Sequence, residues 1–129
     1  MHGRLDFTEG QLHRLRDLVS VAARRAGLDE QRQQSLVLAV NEAAINAIEH
    51  AGGRGHLVVI QDDQGLLIAQ VSDHGPGLPP GLELVSPEPA AARGRGLWLM
   101  RKSCDRVELR GGPSGTTVRL EMDLRTSTS

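Results

Sequence analysis

Leu57-Val58-Val59-Ile60, Asp62-Asp63-Gln64-Gly65 and Leu66-Leu67-Ile68-Ala69-Gln70-Val71 follow one another in the middle of the chain. Two short apolar runs flank a turn signal, and this spacing predicts a β-hairpin. Upstream of it the apolar period is helical. Leu12, Leu15, Leu18, Val19, Ala22, Ala23 and Ala26 predict an amphipathic helix over 8–26. Thr8 with Gln11 resembles a capping box, and Gly27 is a stop. A second helix is predicted over 29–51, opened by Asp29 and closed by Gly52-Gly53. Its apolar face holds Leu36, Val40, Ala43, Ala44, Ala47 and Ile48.

Downstream, residues 73–96 are rich in Gly and Pro and read as one long loop, a length usually functional or disordered in a compact domain. Leu97-Trp98-Leu99-Met100 begins a short helix. Val107 and Leu109, then Val118, Leu120 and Met122, alternate with polar residues on either side of Gly111-Gly112-Pro113-Ser114-Gly115, predicting a second hairpin. The order of elements implies an α/β two-layer sandwich, with helices covering one face of a mixed, mainly antiparallel sheet. A single domain over 1–129 is expected, with its core over 8–123 and a frayed tail over 125–129.

Composition narrows the function classes. Apolar residues are 39% of the chain but aromatic residues only 2%, so the core must be built from Leu, Val, Ile and Ala. The net charge of −1 gives no global push toward nucleic acid or an anionic membrane. A single cysteine, Cys104, excludes an internal disulfide. No signal-peptide run or membrane-length apolar stretch is present, so a soluble cytoplasmic protein is the default expectation. His13, His56 and His74 lack partners at metal-ligand spacing.

Four short stretches could carry chemistry. Glu42, Asn46 and His50 lie four apart and share one helical stripe. A Glu and an Asn there could hold Mg²⁺ and orient an attacking hydroxyl. Taken alone, the plainer reading is a solvated helix edge, with His50 on the helix dipole. Asp73-His74-Gly75-Pro76-Gly77 ends a strand; its carboxylate could accept from the exocyclic amine of adenine, while Gly75 and Gly77 let the backbone bend close. Alone it is equally a Gly/Pro turn. Arg93-Gly94-Arg95-Gly96-Leu97 opens a helix whose backbone N–H groups could cradle phosphate, with Arg93 and Arg95 adding charge. It matches neither the Walker pattern nor the Rossmann fingerprint. In Gly115-Thr116-Thr117 a threonine hydroxyl could reach Asp73 or a water on the adenine, although taken alone an ordinary hairpin turn is the better reading.

In this fixed order, Glu42-x-x-x-Asn46, Asp73-x-Gly75-x-Gly77, Gly94-x-Gly96 and Gly115-Thr116 resemble the N, G1, G2 and G3 boxes of the Bergerat-fold (GHKL) ATPases. The resemblance covers about residues 8–123. Asn41-Glu42-Ala43-x-x-Asn46-Ala47-x-x-His50 and Gly94-Arg95-Gly96-Leu97-Trp98-Leu99-Met100 are most similar to the anti-sigma-factor serine kinases and their stand-alone ATP-binding relatives. The resemblance implies ATP and Mg²⁺ as cofactors, Glu42 as general base and Asn46 as Mg²⁺ ligand. It implies Asp73 on the adenine amine, Gly94 and Gly96 on the phosphates and Thr116 in the adenine pocket. Implied partners are an anti-anti-sigma (STAS-type) protein, a sigma factor and a second copy of the chain. The alternative is a catalytically silent ATP-binding or docking module. A fragment of a sensor histidine kinase is not expected, since no phosphoacceptor hairpin precedes residue 8. Two departures stand out. The segment between Gly77 and Gly94 is short and Pro-rich, and the family's N-terminal strand looks reduced to Gly3-Arg4-Leu5-Asp6-Phe7.

Overall fold

The computed structural model describes residues 2–50, 52–74, 92–112 and 115–124, with only the backbone described for His50, residues 92–95 and Gly112. The chain opens with strand β1 (Gly3–Thr8) and a 3₁₀ turn (Glu9–Gln11). Helices α1 (Leu12–Arg25) and α2 (Glu30–His50) follow, then strands β2 (Arg54–Gln61) and β3 (Leu66–Ser72). Helix α3 (Ala92–Ser103) and strands β4 (Arg106–Gly112) and β5 (Gly115–Asp123) complete the order.

The helix boundaries have local causes. The Asp29 carboxylate accepts the Arg32 N–H at 2.8 Å and so caps α2. At the end of α1, Gly27 takes φ +96°. The Leu28 N–H then reaches the Ala23 carbonyl, and the Gly27 N–H reaches that of Arg24. This is a Schellman stop, with Leu28 buried beyond it. The central hairpin turns where Asp62 Oδ1 accepts the N–H groups of Gln64 and Leu66.

The strand order is β1-β2-β3-β5-β4, and every neighbouring pair is antiparallel. The expected two-layer sandwich is therefore present, but the described sheet is wholly antiparallel rather than mixed. Leu57 and Val59, Leu67, Ala69 and Val71, and Val118, Leu120 and Met122 form the buried face. Against them lie Leu15, Val19, Ala22 and Ala23 of α1 and Leu36, Ala39, Val40, Ala43, Ala44 and Ala47 of α2. Helix α2 is central: it touches α1, α3, β2, β3 and β5.

Two helix starts need correction. The first helix does not start at residue 8. Gly3–Thr8 pair with β2 along their whole length, and Phe7 is buried in the core at 1% exposure. The stretch Gly3–Phe7, expected to be an N-terminal strand, is one, and it runs on to Thr8. Thr8 and Gln11 still interact, the Thr8 N–H donating to Gln11 Oε1 at 3.0 Å, but they shape the 3₁₀ turn between strand and helix. Likewise, α3 starts at Ala92, inside the stretch read as loop. Its two glycines cost helix propensity, yet packing on α2 overrides a local preference worth about 1 kcal/mol each.

A chain of ion pairs ties the layers together at one end. Arg32 Nη2 donates to Asp105 Oδ2 at 2.6 Å and to the Asp123 carbonyl at 3.0 Å. Arg106 engages Glu121 and Asp123, and Arg119 engages Glu121. Burial works to raise the Asp105 carboxyl, but hydrogen bonds from Arg32 and the Asp123 N–H, with the nearby arginine charges, hold it below its ordinary value. Glu121 is also held low, chiefly by its hydrogen bond from Arg106. Depressed carboxylates contribute stability that is present above their unfolded values and lost as pH falls through the folded ones. Thermal melts should therefore show the midpoint dropping as pH falls below about 4. Arg32→Gln should flatten that drop, and an unchanged slope would show that the Arg32–Asp105 pair is not its source.

Candidate functional site

The second half of α2 presents Glu42 and Asn46, both half-buried, beside the face that packs on the sheet. Helix α3 crosses directly above them. A Cβ placed on Gly96 would stand 3.2 Å from Asn46 Nδ2, 3.6 Å from Asn46 Oδ1 and 3.6 Å from Glu42 Oε2. The α3 backbone thus approaches a carboxylate and a carboxamide at a point where an added Cβ would press on Asn46 Nδ2 and touch Glu42 at ordinary contact distance.

A second cluster forms where β3 ends and β5 begins. Ser72 pairs with Thr117, so the next residue, Asp73, arrives opposite Thr116. The Asp73 N–H donates to the Thr116 carbonyl at 2.9 Å. The Thr116 N–H in turn donates to Asp73 Oδ1 at 3.1 Å. Gly115 has φ +146°, and a Cβ there would lie 2.0 Å from the Asp73 carbonyl oxygen. Only glycine fits that approach. Val71 and Val118 are buried on the helix-bearing face, and Asp73 and Thr116 share their parity along the two strands. The carboxylate therefore belongs to the same interlayer space as Glu42 and Asn46.

The structure places the other candidates less simply. Gly75 and Gly77 lie outside the described residues, as does the Pro-rich stretch beyond them, and the His50 side chain is not described. Arg93, Gly94 and Arg95 lie on the first turn of α3, where only their backbone is described. The free N–H groups of the helix start therefore belong to residues 92–95 rather than to a turn opening at Gly96. Leu97 is 6% exposed and part of the core, so its side chain does not line an open site. The sequence suggested a threonine hydroxyl within reach of Asp73 or of a water on the adenine. The hydrogen bond found is from the Thr116 backbone N–H, a group every non-proline residue carries, so residue type gave no signal for it.

Elsewhere the chemistry is quiet. Cys104 is buried, and burial pushes its thiol up to about 12, so it is a poor nucleophile. His56 is hydrogen-bonded to Asp6 on the sheet face away from the helices. Among the described residues no three His, Cys, Asp or Glu side chains converge to hold a metal, and no helix is long and apolar enough to cross a membrane.

The two glycines should respond differently to a methyl group. Gly115→Ala meets backbone at a positive φ and should destabilise the fold by roughly 1–3 kcal/mol. Gly96→Ala gains about 1 kcal/mol of helix propensity against one tight contact and should be close to neutral for stability. Thermal denaturation of both variants checks the ranking, and equal losses would contradict it.

The sequence profile of the histidine kinase-like ATPase domain matches residues 5–122. No curated protein matches the sequence. Solved structures do. The histidine kinase domain of the Erythrobacter litoralis EL346 blue-light activated histidine kinase is 20% identical at TM-score 0.63, covering 89% of this chain and 64% of that one. The RsbU and RsbW domains of Rv1364c from Mycobacterium tuberculosis give 18% identity and TM-score 0.64, over 95% of this chain and 32% of that one. Full-length ShkA in complex with AMPPNP gives 21% identity and TM-score 0.59, over 95% and 31%. The chain spans less than two thirds of the length of each, and at these identities the likeness is one of fold. With the profile covering nearly the whole chain and the fold agreeing, this protein belongs to the GHKL-type histidine kinase-like ATPase domain family.

Proposed function

We propose that the domain binds Mg-ATP between its helix layer and its sheet and transfers the γ-phosphoryl group to a serine hydroxyl of an anti-anti-sigma protein, while also sequestering a sigma factor in the cytoplasm. The observation that carries this reading is the seating of Gly96, one turn into α3, over Glu42 and Asn46, which brings the helix backbone, a carboxylate and a carboxamide together. Membership of the ATPase family supports the nucleotide. A fold shared with a chain that contains an RsbW domain, together with the motif resemblance, supports the regulatory branch.

Each residue then has a role. The Thr116 N–H donates to Asp73 Oδ1 and steadies the carboxylate that would accept from the adenine amine. Mg²⁺ prefers oxygen ligands, keeps several waters and is commonly held by one or two protein groups plus phosphate oxygens. Asn46 beside Glu42, with no cluster of three His, Cys, Asp or Glu among the described residues, fits that habit. The ion, when bound, supplies positive charge on the phosphate oxygens. Glu42 takes the proton of the attacking hydroxyl. The N–H groups at the start of α3, with Arg93 and Arg95, stabilise charge on the transferring group.

Binding and chemistry should separate by mutation. With labelled Mg-ATP and candidate anti-anti-sigma proteins, Asp73→Asn should weaken nucleotide binding by roughly tenfold or more. Glu42→Ala should keep binding and slow transfer by about 10²–10⁴-fold. Transfer unchanged in Glu42→Ala would remove Glu42 as the base. Binding with no transfer to any partner in the wild type would leave a silent docking module.

A further inference from the structure

Helix α3 carries a second surface that the nucleotide reading does not use. It presents Arg101 and Lys102 in the last turn of a helix with no acidic residue, in a chain whose 15 basic and 16 acidic residues nearly cancel. Trp98 lies two residues beyond Gly96, turned about 200° around the helix axis, and so points away from Glu42 and Asn46. It is 42% exposed, with Lys102 Nζ 5.2 Å from its ring centroid. Arg101 and Lys102 are exposed beside it.

The placement is unexpected for this composition. The chain has one Trp, one Phe and no Tyr. The Phe is in the core, while the Trp stands on the surface. The helix dipole accounts for cations in the last turn but not for the indole beside them. Tryptophan and arginine are enriched at the centres of protein interfaces, where an apolar ring is framed by groups that can pair with charge. The other exposed large apolar residue among the described ones, Leu38, borders a groove lined by Arg16, Asp17 and Glu30, whose mixed charges select no partner.

We propose that the outward face of α3, centred on Trp98 with Arg101 and Lys102, docks a short acidic segment of a protein partner. Nucleic acid fits the surface less well. The chain has no net positive field, and a lone aromatic offers no stacking platform for successive bases. The proposal does not depend on ATP binding. Since the same helix seats Gly96 on Glu42 and Asn46, an occupant of this face would bear on the element that covers them.

Trp98 is the only tryptophan, so its emission reads this surface directly. The probe is a labelled peptide of about 15 residues, rich in Glu around a central Leu pair. The full chain should show a saturable change in Trp98 emission and matching peptide anisotropy, with affinity falling as salt rises. Lys102→Glu should weaken binding by roughly fivefold or more, and Trp98→Ala should abolish the anisotropy change. Asp73→Asn should bind the peptide as the wild type does, which separates this surface from the nucleotide reading. No saturable binding, equal binding of a peptide with Gln for Glu, tighter binding of a single-stranded oligonucleotide, or an unchanged affinity in Lys102→Glu would each overturn the proposal.

Discussion

The close seating of α2 on the sheet positions everything else. Ala39, Ala43, Ala44 and Ala47 are each at most 3% exposed, and their small side chains let the helix backbone settle near β2, β3 and β5. With so few aromatic residues, the interior is filled by aliphatic side chains and by proximity rather than by bulk. Because α2 is flanked by α1 on one side and α3 on the other, its rim toward α3 is where Glu42 and Asn46 stand. A larger residue in the alanine face would lift the helix and carry both groups away from Gly96.

The second constraint acts through the sheet. Pairing of β3 with β5 brings together residues 43 positions apart, and the missing side chain of Gly115 lets the Asp73 carbonyl pass. One wall of the interlayer space is thus a carboxylate steadied by a backbone N–H. The other is a carboxylate and a carboxamide beneath the α3 backbone. Neither cluster depends on a buried charge: among the described residues no charged side chain is fully buried, and the strongest ion pairs sit at the Arg32–Asp105–Asp123 end. Stability and site chemistry can therefore respond to pH through different groups.

Much of this was legible from residue order. Asp29 and the spacing of Leu36, Val40, Ala43 and Ala47 announce α2, and Asp62 to Gly65 announce the central turn, because in both cases the signal is local. The boundary between β1 and α1 was blurred because Gly3–Thr8 is short and runs straight into the Thr8–Gln11 capping signal. The start of α3 was hidden because Gly94 and Gly96 argue against helix, and only contact with α2 outweighs them. Within the site, Glu42 with Asn46 could be read as a helical stripe. Their closeness to Gly96, and that of Asp73 to Thr116, are tertiary facts that no local pattern encodes.

The central claim is that Asp73 reads the exocyclic amine of a bound purine. Titrating the protein with Mg-ATP and with Mg-inosine triphosphate, which carries a carbonyl oxygen in place of that amine, tests it most directly. A carboxylate facing an oxygen instead of a donor loses a charge-assisted hydrogen bond, so ATP should bind at least roughly tenfold tighter. Asp73→Asn should narrow the gap, since a carboxamide can donate to the carbonyl. Equal affinity of the wild type for the two nucleotides would contradict the account.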